Sequence, residues 1–74
     1  MSNKRSITIA RHRTSVSLED EFWTALAELA AQDGKSVAAL VGEIDKRRAA
    51  HAGAGASLSA AIRLYVLKRL REKA

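Results

Sequence analysis

The chain has neither cysteine nor proline, and it has only one Phe, one Trp and one Tyr among its 74 residues. Without cysteine, it can form no disulfide and no thiolate metal site. No apolar run approaches the roughly 20 residues that a membrane-spanning helix needs, and the N-terminus lacks the apolar core of a signal peptide. These absences favour one small domain over residues 1–74, in a reducing cytoplasm and without a membrane role.

Residue patterns that carry chemistry are also missing. His12 and His51 are isolated, so they provide no metal-ligand spacing. Gly53 and Gly55 do not follow a strand pattern and therefore do not form a nucleotide-binding fingerprint. No nucleophile lies at a recognisable spacing from a base. We therefore expect a protein that is not an enzyme and that needs no cofactor and no metal.

What the chain does have is an uneven charge distribution around a formal net charge of +5. Residues 1–18 carry only basic charges, residues 19–34 carry only acidic ones, and the C-terminal segment is basic again. This separation favours oriented binding to a polyanion. The alternative is that basic termini only keep a small protein soluble.

A strand pattern extends from residue 13 to residue 18. Arg13, Ser15 and Ser17 alternate with an apolar set, Thr14, Val16 and Leu18, which indicates one polar face and one apolar face. A lone strand leaves its backbone groups unpaired, and the simplest partner is the same strand of a second copy. The sequence thus predicts an intermolecular antiparallel ribbon, whose basic, polar face fits the major groove of DNA.

The residues before this strand, 1–12, are either a basic arm or an extra short strand. Ile7 and Ile9 lie at odd positions, whereas the apolar residues of the next strand lie at even positions. One flat strand would put the two sets on opposite faces. A bend or loop around residues 10–12 is therefore needed.

Three helices follow, expected over residues 18–33, 36–50 and 57–73. Ser17 and Asp20 have the spacing of a capping box for the first helix, Gly34 is placed to end that helix, and Ser36 can cap the second. Ser57 or Ser59 caps the third, whose broad apolar stripe suggests two packing neighbours. We expect the apolar residues of the strand and the first two helices to form the core of a dimer: Val16, Leu18, Phe22, Leu26, Val37, Leu40, Val41 and Ile44.

From Arg13 to about Arg48, the order of strand, helix, Asp-Gly-Lys-Ser turn and helix resembles the ribbon-helix-helix repressors of the Arc and MetJ type. The segments KRSITIARHRTSVSLEDEFWTALAELA and LSAAIRLYVL are similar to a subfamily of small bacterial members. The resemblance implies a mainly α fold with a short β-ribbon, a ribbon-helix-helix dimer extended by a third C-terminal helix.

The resemblance also implies site residues. The base-reading positions of the family fall on Arg13, Ser15 and Ser17, with a merely solvated polar face as the alternative. The phosphate clamp of the family, at the start of the second helix, falls on Lys35, Ser36 and Val37. Arginine can contact guanine through two hydrogen bonds, and a helix N-terminus favours an anion.

The basic residues before the ribbon form a further candidate group. Lys4, Arg5 and Arg11 can follow the DNA backbone or enter the minor groove. The alternative is a disordered tail.

These features predict a homodimer that binds double-stranded DNA, as a transcriptional regulator and most simply as a repressor. A second hypothesis is a protein-interaction module, such as an antitoxin or adaptor, that docks a second protein on residues 57–73. A third, membrane-surface binding through the basic C-terminal helix, ranks last because a small domain needs those apolar residues for its own core.

Overall fold

Two strands precede three helices along the chain. The structure, a computed structural model, describes residues 2–9, 11–51 and 57–73. Its elements are β1 (Ser2–Ile9), β2 (His12–Glu19), α1 (Asp20–Gln32), α2 (Val37–His51) and α3 (Leu58–Lys73). The expected fold class, mainly α with a short antiparallel β-ribbon and a third helix, is confirmed.

The two strands form a hairpin within one chain. β1 pairs antiparallel with β2 in a continuous register that extends from Ile9 opposite His12 to Ser2 opposite Glu19. Arg11, in the connection, has a positive φ of 71°, a left-handed conformation that costs a non-glycine residue about 1 kcal/mol. Position 10, where the sequence placed the start of the bend, lies outside the described residues.

The hairpin corrects the expected partner of the ribbon strand. The sequence assigned that partner to a second copy, whereas β2 pairs with β1 of its own chain. The reason is the chain reversal, because residues directly opposite each other in an antiparallel pair share a face. Ile7 therefore lies on the same face as Thr14. The odd-numbered apolar residues of the first segment and the even-numbered ones of the second would lie on opposite faces of a single strand, but they share one face of the hairpin. Residues 2–9, for which the sequence left a basic arm and a short strand as alternatives, form the strand β1.

The start of the first helix also differs from the prediction. α1 begins at Asp20, its N-cap residue is Glu19, and no side chain caps it. Ser17, expected to open a capping box, lies in β2 opposite Lys4. Pairing with β1 keeps the backbone extended through Glu19, so the local capping signal is overridden.

The helix ends follow local signals more closely. Gly34 has a φ of 68°, and the N–H groups of Gly34 and Lys35 donate to the carbonyls of Ala31 and Ala30, which is the Schellman pattern that ends a helix. Ser36 Oγ accepts from the Ala39 N–H at 3.0 Å. Ser57 Oγ accepts from the Ala60 N–H at 3.1 Å and caps α3.

The core lies between the inner face of the hairpin and the three helices. The expected dimer-core residues Val16, Leu18, Leu26, Leu40, Val41 and Ile44 are all buried within one chain, and Phe22 and Val37 are half-buried against them. Ile62 and Val66 of α3 complete this core. One chain can thus bury these residues because the third helix covers them, and their part in a dimer remains a proposal.

Two arginines tie α3 to the rest of the fold. Arg63 Nε donates to Glu19 Oε1 at 2.9 Å, and this hydrogen bond lowers the pKa of the Glu19 carboxyl. Arg69 donates to both carboxylate oxygens of Asp33 at 2.9 and 3.0 Å and to the Tyr65 hydroxyl. The first contact holds α3 beside the end of β2, and the second holds it beside the end of α1.

Two glycine substitutions test the backbone assignment in opposite directions. Gly34→Ala should lower the free energy of unfolding by about 1 kcal/mol, because its φ of 68° is unfavourable for a residue with a Cβ. Gly42→Ala should raise that free energy by up to about 1 kcal/mol through helix propensity, since among the described residues the added Cβ would meet only Ile9 Cγ2, at an ordinary 3.5 Å. Urea unfolding at one protein concentration measures both, and equal stability of the two variants would contradict the assignment.

Candidate functional site

The hairpin presents one exposed polar surface, which we call the outer face. In β1 it consists of Lys4, Ser6 and Thr8, and directly opposite them in β2 lie Ser17, Ser15 and Arg13. All six side chains are exposed. Four hydroxyls and two cations thus cover the surface, and the next β2 residue on this side, Glu19, has its carboxylate paired with Arg63. Hydroxyl and cationic groups of this kind can donate hydrogen bonds to base edges and to phosphate oxygens.

The opposite face of the hairpin is packed and holds the outer face in place. Val16 and Leu18 are fully buried against the helices. Arg5 belongs to this inner side, and its guanidinium carbon lies 4.8 Å from the centroid of the Trp23 ring, a cation–π distance. Because one face of the sheet is buried, the strand register is strongly specified. The outer side chains therefore stand on a fixed support.

The predicted arm residues consequently separate. Lys4 lies on the outer face with Arg13, Arg5 lies against Trp23 on the inner side, and Arg11 lies exposed in the connection at the tip of the hairpin. The structure thus brings Lys4 together with the predicted base-reading residues and directs Arg5 elsewhere. Trp23, which is 5% exposed, is a core residue in this arrangement.

The far edge of β2 is the second feature of the site. Ile9 and His12 close the hairpin and form a hydrogen-bonded pair, so the even-numbered residues of β2 direct their backbone groups towards β1 and the odd-numbered ones direct theirs away. The Ser17 carbonyl fits this pattern, since it accepts a 3.3 Å bond from Arg63 Nη2 of α3.

The outward backbone groups of Arg13 and Ser15 differ from the Ser17 carbonyl in their hydrogen bonding. Within the described ranges 2–9, 11–51 and 57–73, neither residue makes a hydrogen bond beyond the ladder. Among the described residues, this part of the β2 edge therefore has no hydrogen-bond partner, and an unpaired edge is a template for pairing with another strand.

The start of α2 holds the predicted phosphate-clamp residues. Lys35 forms an ion pair with Glu43, both side chains being partly exposed. The Ser36 hydroxyl caps the helix, while Val37 is half-buried. Val37 and Ala38 line one shallow groove with Ser6 and Thr8 of β1. The N-terminus of α2, with its outward first-turn amides, therefore lies beside β1.

Ser6 and Thr8 are outer-face residues that were not among the site residues expected from the sequence. The signal was present, because positions 4, 6 and 8 alternate with Ile7 and Ile9 as positions 13, 15 and 17 alternate with Val16. It becomes readable only when the two segments are paired as a hairpin.

Other kinds of site find no support in the described part of the chain. No group of three or more His, Cys, Asp or Glu side chains comes together there in a way that would hold a metal ion. No helix within the same residues has the length and apolarity to cross a membrane.

Comparison with known proteins agrees with this geometry. A family model described as a ribbon-helix-helix domain matches residues 2–70, which includes both strands and most of α3. No curated protein and no solved structure gives a significant match to the chain. Ribbon-helix-helix domains are in general non-enzymatic DNA-binding and regulatory modules or antitoxins. A match that begins at the hairpin and ends within the third helix shows that this chain belongs to the ribbon-helix-helix domain family.

Proposed function

We propose that this protein is a homodimeric, sequence-dependent DNA-binding protein that acts as a transcriptional regulator, most simply a repressor. The outer face of the hairpin carries the proposal, because it is exposed and rich in hydroxyl and cationic groups, and because the carboxylate that follows it in β2, that of Glu19, is paired with Arg63. The proposal places the protein in the bacterial cytoplasm, where the DNA is, and gives it no catalytic activity.

The second copy is proposed to pair along the open edge of β2. A two-fold axis at Ser15 would set Ser15 opposite Ser15 of the partner subunit and Arg13 opposite Ser17 of the partner subunit. Both residues of each pair are odd-numbered and direct their backbone groups outward, so the pairs would be hydrogen-bonded. For the Arg13–Ser17 pair, the Ser17 carbonyl must exchange Arg63 Nη2 for the partner's N–H or accept from both. A symmetric pairing of this kind buries the same surface of both copies.

The polar and basic side chains of the hairpin would then divide into base contacts and phosphate contacts. Arg13 is proposed to contact guanine through two hydrogen bonds, and Ser15 and Ser17 to donate to or accept from neighbouring bases. Lys4, on the outer face, and Arg11, at the tip of the hairpin, are proposed to contact phosphates. Arg5 can join them only by leaving the Trp23 ring, over which it lies.

The start of α2 is the other proposed phosphate site. The first-turn amides around Val37 and the positive end of the helix dipole favour an anion, and the Ser36 hydroxyl can remain a cap while those amides face the phosphate. Lys35 adds a full charge only when it exchanges Glu43 for the phosphate.

Fluorescence anisotropy with a labelled DNA duplex of about 20 base pairs tests the proposal. If a dimer neutralises about six phosphates, the logarithm of the association constant should fall against the logarithm of the salt concentration with a slope near −5. Arg13→Ala should weaken binding to a selected sequence by about 1–3 kcal/mol. Binding that does not depend on the salt concentration, or the absence of binding at micromolar protein, would contradict the proposed DNA-binding function.

Arg71→Ala is the matched control for Arg13→Ala. Arg71 is an exposed arginine of α3, so the control removes the same charge away from the hairpin. It should leave discrimination between the selected sequence and random DNA unchanged, whereas Arg13→Ala should reduce it. Equal effects of the two variants would remove Arg13 from the proposed base contacts.

Glu43→Gln should increase DNA affinity. The substitution removes the carboxylate that pairs with Lys35, so Lys35 becomes available to a phosphate, and the ion pair is exposed enough that its loss should cost at most about 1 kcal/mol of stability. We expect a several-fold lower dissociation constant and a steeper salt dependence in the anisotropy titration. Glu28→Gln, an exposed carboxylate of α1, removes the same charge. An equal gain with Glu28→Gln would show a net-charge effect and contradict a role for Lys35.

A second candidate function is the docking of another protein on α3, as in an antitoxin or adaptor. The observation that favours it is a row of exposed leucines, with Leu64, Leu67 and Leu70 being 67%, 51% and 49% exposed. Copurification of a second small protein that is lost in Leu64→Ser/Leu67→Ser would support this function. Burial of these leucines in the homodimer itself would contradict it.

A further inference from the structure

The β1 half of the outer face has no role in the proposed base contacts. Lys4, Ser6 and Thr8 are exposed and lie directly across from Ser17, Ser15 and Arg13. An edge strand that needed only to cover the core would require its inner residues, Ile7 and Ile9, but no particular outer ones. The outer positions of β1 nevertheless hold two hydroxyls and one ammonium group.

The hairpin register decides where these groups would lie in a dimer. β1 occupies one edge of β2, and the proposed partner uses the other edge, so both hairpins can persist and give a four-stranded sheet with β1 on each flank. Strands lie about 4.8 Å apart, which puts the two β1 strands about 14 Å apart. The major groove is about 12 Å wide. The central β2 strands would therefore face the groove, and each β1 strand would lie over a phosphate backbone.

The chemistry of β1 suits that position. Serine and threonine hydroxyls and lysine ammonium groups donate hydrogen bonds to phosphate oxygens, and bonds to a charged acceptor are the stronger kind. Ser6 and Thr8 also line a groove with Val37 and Ala38 at the start of α2, so this strand and the proposed helix clamp lie along the same rim.

We propose that β1 is a backbone-contacting strand, which binds the DNA phosphates on both sides of the groove through Lys4, Ser6 and Thr8. The inference rests on the proposed DNA-binding function. It adds to that function a second pair of strands, which fixes the position of the sheet on the duplex while β2 faces the bases.

Anisotropy titrations of the full chain with two duplexes, one of random sequence and one selected from random DNA, test the inference. Ser6→Ala/Thr8→Val should weaken binding to both duplexes about thirtyfold or more, since each dimer loses four hydroxyl–phosphate bonds. Lys4→Gln should make the salt slope shallower by about 1.8, for two lost phosphate contacts in each dimer. Neither change should alter the ratio of the two affinities, because phosphate contacts carry no sequence information.

Two controls separate contact from folding and from net charge. Thr8→Ser keeps the hydroxyl and should bind like the wild type, while Thr8→Val keeps the β-branched shape and should not. Lys68→Gln removes an exposed charge of α3 and should leave the slope nearly unchanged.

The outcomes are distinguishable from failure of the proposed function. If the wild type binds neither duplex, DNA binding itself is contradicted. If the wild type binds and the β1 variants match it in affinity and slope, or if Lys68→Gln matches Lys4→Gln, the contact by β1 is contradicted and DNA binding stands.

Discussion

The pairing of β1 with β2 is the constraint on which the other features depend. Because the chain reverses at Arg11 and the register is continuous, each side chain of the hairpin is assigned to one of two faces. The apolar set packs on the helices, and the hydroxyl and basic set remains outside. The same register directs the backbone groups of the odd-numbered β2 residues away from β1. The proposed surface for DNA and the proposed edge for a second copy thus follow from one structural feature.

The third helix makes this arrangement possible within a single chain. Ile62 and Val66 cover the inner core, and Arg63 and Arg69 hold the helix against Glu19 and Asp33. A small chain without disulfides has little core to spare, and α3 supplies the missing part. Since α3 packs on the inner side and at the end of β2, the outer face stays accessible.

Local signals predicted much of the fold and less of the site. Alternation around Val16 identified β2 and its outward residues, Gly34 marked the helix end, and Ser36 marked the next start, because each depends on neighbours in the sequence. The Ser17 capping box was equally local, but strand pairing prevailed over it. The strand that pairs with β2 could not be predicted from the sequence, because the connection at Arg11 lacks the Asn-Gly or Asp-Gly signal of a tight hairpin. The contacts of Arg5 with Trp23 and of Lys35 with Glu43 required the folded chain.

Amide hydrogen exchange, measured by NMR over a range of protein concentrations, tests whether β1 and a second copy occupy the two edges of β2. If they do, the Thr14 and Val16 amides, which face β1, should be protected at every concentration. The Arg13 and Ser15 amides should exchange rapidly in dilute protein and become protected as the mass rises to that of a dimer. Rapid exchange of Arg13 and Ser15 in a protein that is already dimeric would contradict pairing of the second copy along β2, and rapid exchange of Thr14 and Val16 in the folded chain would contradict the hairpin.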